Sequence, residues 1–164
     1  MHSVERKIRI DSPLPVVLDI MLDWNSYNRF LPSIDSFRVL SHDRKECRVE
    51  TETVARLPVF GTVVKTAQTI IYDLETLTFQ TVDRSGFFKE FKGFRKLEPD
   101  GDSVIFYSRV DYVYSSSFLD FLNQNIRNLI EKNVTSLQDS MKLEAEKRRS
   151  EKLTLADLKI KYGE

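Results

Sequence analysis

Apolar and polar residues alternate from the start of the chain. Val4, Ile8 and Ile10 stand between Glu5, Lys7 and Arg9. That period of two predicts a half-buried strand, with Arg6 the one polar breach of its apolar face. Asp11-Ser12-Pro13 stops the strand. Ser12 suits a helix N-cap, and Pro13 suits the first helical position. Leu14, Val17, Leu18, Met21 and Leu22 then recur at i, i+3, i+4, i+7 and i+8, the stripe of an amphipathic helix. Asp23 breaks it. A second short helix is expected to carry Trp24, Tyr27, Phe30 and Leu31, and Pro32 ends it.

The period of two then returns and dominates the middle of the chain. Strands are predicted over roughly 34–41, 46–56, 60–73, 76–83, 87–98 and 103–114. In one of them Cys47, Val49, Thr51, Thr53 and Ala55 share the apolar face, opposite Arg48, Glu50 and Glu52. In the last, Val104, Phe106, Ser108, Val110, Tyr112 and Tyr114 share a face. Pro99-Asp100-Gly101-Asp102 is the clearest hairpin turn. Short turns between strands imply antiparallel neighbours, so the sheet is a meander of about seven strands.

At Phe118 the period changes to 3.6. Leu119, Leu122, Ile126, Leu129, Ile130, Val134, Leu137 and Met141 form one stripe, with Ser115–Ser117 as an N-cap cluster before it. The helix is expected to run to about residue 149, about 45 Å at 1.5 Å per residue. A helix that long would lie across the concave face of the sheet. Residues 1–149 form one α+β domain in this reading. The tail, 150–164, carries Leu153, Leu155, Leu158 and Ile160, and is read as a further short helix or a loosely packed end.

Composition narrows the function. A chain of 164 residues is one domain by length. Lys plus Arg is 25 and Asp plus Glu is 25, and that balance argues against a dedicated nucleic-acid binder. No apolar run reaches the ~18–20 residues that span a membrane. The first residues lead straight into a strand, so no signal peptide is expected and the expected compartment is the cytoplasm. The single Cys47 excludes an internal disulfide and a cysteine-cluster metal site. Two histidines, His2 and His42, leave little for a zinc centre, and neither metal nor cofactor is expected.

Candidate chemistry is sparse. Glu50 and Glu52 share a strand face, but so does Arg48, and that face reads as solvated. Cys47 lies among apolar positions, where a cysteine is usually a small hydrophobe rather than a nucleophile. No Gly-x-Ser-x-Gly, phosphate loop or His-Glu-x-x-His string occurs. Phe118 and Phe121 lie partly outside the helical stripe; they either pack on the short helices near Tyr27 and Phe30, or gate the pocket or touch a bilayer. The run Lys142 to Lys152 alternates in sign and reads as a solvated helix end. What stands out is the aromatic content, 11 Phe and 6 Tyr, much of it on the inferred inner faces. An apolar pocket with a few polar groups is what a small-molecule site looks like. Thr51, Thr53, Thr66, Gln68, Ser108 and Arg95 are the polar candidates on those faces.

The order strand, two helices, six strands, long helix resembles the helix-grip fold of the START-like (SRPBCC) superfamily over about residues 3–145. Asp23-Trp24-Asn25-Ser26-Tyr27-Asn28-Arg29-Phe30-Leu31-Pro32 carries the Tyr-x-x-Phe-Leu-Pro string of that superfamily, most like its coenzyme Q-binding and polyketide cyclase/dehydrase branch. Phe91-x-Gly93-x-Arg95-x-Leu97 is a second echo, with Arg95 where many relatives carry Trp. Ser33-Ile34 stands where the family has Trp-Cys. The resemblance implies a mostly apolar cavity between sheet and long helix, and a hydrophobic partner such as a lipid or isoprenoid quinone. The residues expected to bind it are Tyr27, Phe30, Leu31, Phe60, Phe79, Phe91, Arg95, Phe106, Tyr112, Leu119, Leu122 and Ile126. The runner-up is a cyclase or dehydrase using the same cavity, and a third reading is a protein- or ribosome-interaction module. No catalytic residue is assigned.

Overall fold

The computed structural model describes residues 1–57, 61–114 and 122–162. Seven strands form one antiparallel sheet: β1 (His2–Ile10), β2 (Ser36–Asp43), β3 (Arg48–Arg56), β4 (Val63–Asp73), β5 (Thr78–Asp83), β6 (Phe88–Asp100) and β7 (Ser103–Tyr114). Their order across the sheet is β1-β7-β6-β5-β4-β3-β2. Strands β2 to β7 are the expected meander, and β1 closes on β7. Gly101 sits at φ +61° in the β6–β7 turn, a backbone position that only glycine takes without strain. The expected helix-grip architecture is present, with α1 (Leu14–Leu22), a 3₁₀ helix (Trp24–Phe30) and the long α2 (Asn123–Lys147). No helix among the described residues is long and apolar enough to cross a membrane.

Helix α2 packs on the sheet through Ile126, Ile130, Val134, Leu137, Met141 and Ala145, all buried. Its closest partner in the sheet is β1. The Arg6 breach explains part of that choice. Arg6 pairs with Asp139 at 2.9 Å, and its Nη1 donates to the Thr135 carbonyl at 3.3 Å. Gln138, fully buried on α2, donates back to the carbonyls of Arg6 and Phe106. A polar residue on an apolar strand face thus fixes the helix to the sheet edge.

Two local expectations are corrected, and the tail takes the first of its two expected forms. Ser12 does not cap α1: Pro13 is the cap residue, and the Ser12 Oγ is buried without a hydrogen-bond partner. The Val16 and Val17 amides take the Pro13 carbonyl instead, and Pro15 has no amide to satisfy. Cys47 is not a strand residue; it sits at φ +53° in the β2–β3 turn. The tail is not loose. Helix α3 (Leu155–Tyr162) forms behind a reciprocal cap, Thr154 to Asp157 and back, at 2.9 and 3.1 Å. Leu158 and Tyr162 are buried against the domain, and Tyr162 donates to the Asp19 carboxylate on α1 at 2.8 Å. The expectations for Phe60, Ser115–Ser117, Phe118, Leu119 and Phe121 lie outside the described residues.

The core has two parts. One gathers α1, the 3₁₀ helix, α3 and the inner residues Ile70, Tyr72, Phe79, Phe106 and Leu137. The other gathers Val64, Phe88, Tyr112 and Tyr114 under Leu122, Ile126, Ile130 and Val134.

Candidate ligand cavity

A cavity of about 150 Å³ lies between the sheet and α2, at the seam of the two core clusters. Its cause is legible in the strands. Along the inner face, Gly93, Ser108, Val110 and Ala55 are small where neighbouring positions carry rings. Gly93 pairs with Thr81 and Val110, so no large side chain fills the middle of β5–β7. Helix α2 leans toward the β1 edge, and the space beside it stays open.

Sheet register settles where Arg95 points. Paired residues on neighbouring strands share a face. Arg95 pairs with Ser108 and with Phe79, Phe79 with Tyr72, and Ser108 with Arg6. Phe79 and Tyr72 belong to the core, so Arg95 faces inward. It is the only charged side chain among the described residues of the lining. Its Nη1 atom is buried and makes no hydrogen bond. From the opposite wall comes Asn133 of α2, whose Oδ1 is also buried and unpartnered. Thr53, Thr66, Gln68 and Ser108 add neutral polar groups. The 3₁₀ helix brings in Tyr27. Its hydroxyl donates to the Met21 carbonyl at 2.6 Å, and burial pushes the phenol far above its ordinary value despite the nearby Arg95 guanidinium.

Of the residues expected to bind a ligand, Tyr27, Leu31, Phe91, Arg95 and Ile126 meet on this wall. Five others are buried elsewhere. Phe30 packs edge-on behind Tyr27 at 6.0 Å. Phe79 closes the first cluster against Trp24 and Tyr72. Phe106 is fully buried in that same cluster. Tyr112 is held between His2 and Phe88, and Leu122 lies in the second cluster. Phe60 and Leu119 lie outside the described residues. Sequence reasoning missed Phe37, Phe87, Phe88, Ile130, Asn133 and Leu137 as wall residues. The α2 spacing carried a signal for three of these. Asn133 stands beside Val134 and shares a helix face with Ile126 and Ile130, at i+7 and i+3.

The other candidates stay outside the cavity. Burial raises the Glu50 carboxyl, but Arg48 at 2.7 Å, Thr69 at 2.8 Å and Arg84 at 2.7 Å hold it below its ordinary value on balance. It is an ion-paired carboxylate of the outer face. Burial pushes the Cys47 thiol up, so little thiolate forms at neutral pH. Cys47 is therefore expected to react with iodoacetamide at pH 7.5 at least about threefold more slowly than a free cysteine. Alkylation as fast as that of free cysteine would contradict the protonated thiol. No group of three or more His, Cys, Asp or Glu is placed to hold a metal among the described residues.

The sheet, the helix across it and the cavity between them define the START-like helix-grip fold. Solved structures share it. A START superfamily protein from Mycobacterium smegmatis superposes with a TM-score of 0.70, at 14% identity over 90% of this chain and 99% of its own. The Zhui aromatase/cyclase from Streptomyces sp. R1128 gives 0.76, at 14% identity over 90% and 94%. A STAR-related lipid transfer protein from Xanthomonas axonopodis gives 0.64, at 15% identity over 85% of each chain. No protein-family model and no curated protein matches the sequence.

Proposed function

We propose that this protein binds a small hydrophobic molecule between the sheet and α2, and stores, carries or presents it. The observation that carries this is the cavity itself, apolar on most of its wall and left open between two closed cores. The names of the lipid transfer and aromatase/cyclase structures support the same reading. An interaction module would be expected to have a filled core. A cyclase would need a general acid or base on the wall; the Tyr27 hydroxyl already donates to the Met21 carbonyl at 2.6 Å, and the carrier reading is the one we favour.

Size limits the occupant. A cavity of about 150 Å³ in another protein holds benzene, and drug-sized sites run to about 300–1,000 Å³. The space here suits one ring or a short branch; a full lipid or quinone tail requires α2 or the 3₁₀ helix to shift. A ring burying about 150 Å² of apolar surface gains about 4 kcal/mol, which alone is only about millimolar.

The test uses 4-ethylacetophenone, a neutral ring of this size, titrated by NMR into wild-type protein and Val110→Phe. Val110 lines the cavity, and a phenyl ring there fills it. Binding by the wild type and at least about tenfold weaker binding by the variant are expected, with overpacking costing about 1–3 kcal/mol of stability. Equal binding to both proteins would place the probe elsewhere and overturn the reading. Organic extraction of the purified protein, followed by mass spectrometry, then identifies a natural occupant.

A further inference from the structure

We infer that the natural occupant is an acid: a small hydrophobic molecule with one anionic head, held by Arg95. This rests on the cavity reading above and names its ligand class.

The argument starts from the arginines. Eleven of them, at positions 6, 9, 29, 38, 48, 56, 84, 109, 127, 148 and 149, have a carboxylate within 3.7 Å. Arg44 instead donates to the Lys161 carbonyl at 3.2 Å. Arg95 has neither kind of partner among the described residues, and its Nη1 is buried. The protein thus gives its other guanidiniums a partner, the inward Arg6 included, and leaves Arg95, which lies beside the neutral Tyr27 hydroxyl, without a carboxylate. Arg95 is half-buried with its Nη1 fully buried; a cation so placed without a counter-charge is unfavourable, and an anion delivered by the ligand reduces that cost.

No Asp or Glu among the described lining residues competes for the head. A carboxylate matches the guanidinium in charge and in planar geometry. Apolar lining residues such as Phe91, Val110, Ile126 and Ile130 seat the rest of the molecule. Asn133 offers a second polar contact from the opposite wall, through an amide oxygen that lacks a donor. The ligand class is therefore an aromatic or short-chain carboxylic acid, and a hydroxyl that reaches Asn133 strengthens it.

The test compares 4-ethylbenzoate with 4-ethylacetophenone at pH 7.5 and low salt, by NMR titration. The two share their ring and their carbonyl acceptor and differ in charge. Wild type is expected to bind the acid at least tenfold more tightly. Arg95→Met is expected to bring the two affinities within about twofold, mainly by loss of acid binding, and Arg95→Lys to keep part of the preference. If the ketone binds wild type as tightly as the acid, the head is neutral; the inference falls and the cavity reading stands. If the acid preference survives in Arg95→Met, another cation supplies it and the inference falls. If neither probe binds wild type, both readings fall. Should Arg95→Met not fold, the wild-type ratio and the Arg95→Lys ratio decide the matter.

Discussion

Trp24→Ala is expected to destabilise the domain by about 4 kcal/mol, the usual cost of removing a buried aromatic side chain. Trp24 is 2% exposed. Its ring contacts Tyr27 at 4.9 Å, Tyr72 at 6.0 Å and Phe79 at 6.1 Å between centroids. It therefore joins the 3₁₀ helix to β4 and β5, two strands far from it in sequence. Losing it opens the first core cluster next to the cavity and frees the helix that carries Tyr27. Domain stabilities are about 5–15 kcal/mol, so this single change removes a large share. The melting temperature should fall by about 10 °C for a chain of this length. Trp24→Phe should cost much less, because it keeps most of the contact and removes an indole N–H that is buried without an acceptor. Urea unfolding followed by circular dichroism measures both. An alanine variant within 1 kcal/mol of wild type would show that these ring contacts do not hold the core.

The second large effect concerns Asp19. It is 5% exposed on α1 and receives Arg148 at 2.6 Å, Lys161 at 2.9 Å and the Tyr162 hydroxyl at 2.8 Å. Burial raises its pKa, but Arg148, Lys161 and Tyr162 outweigh burial and leave it below the ordinary value. A carboxyl lowered in the fold stabilises above its unfolded pKa, ~3.9, and that stability is lost as pH falls through the folded value. The latch is therefore complete at neutral pH and fails only in acid below about pH 4. Asp19→Asn should cost about 2–3 kcal/mol at pH 7, the range for hydrogen bonds to a charged group. It should also flatten the loss of stability on acidification. Hydrogen exchange should rise first in α3. Unchanged α3 protection in the variant would mean that Leu158 and Tyr162 hold the helix through apolar contact alone.

How far the sequence reaches can be argued from these residues. Alternation located all seven strands within a few residues, because each strand has one wet face and one dry face. Periodicity located α1 and the described part of α2 for the same reason. It could not divide the dry face. Phe79, Phe91 and Phe106 are all inward, yet only Phe91 meets the cavity, because the space opens where Gly93 and Ser108 leave volume beside it. That outcome depends on which small residues become neighbours across strands, so it depends on register. Arg95 is the same case: its direction follows from its pairing with Ser108 and Phe79, not from its local sequence. Asp19 is harder still. Its partners are 129 and 142 residues away, and nothing near it in the chain announces them.

The strand order has a consequence for synthesis. β1 is the first strand made, and its hydrogen-bonding partner is β7; Ile10 pairs with Val104 and His2 with Tyr112. At about 5–20 residues per second, a nascent β1 waits several seconds or more for that partner to be translated. Strands β2 to β7 can zip in order as hairpins during that time, but β1 remains an open edge with unpaired amides. Sequence-distant closure of this kind slows folding. The four charged residues at positions 5, 6, 7 and 9 of β1 are well suited to keep that edge from pairing with another chain while it waits.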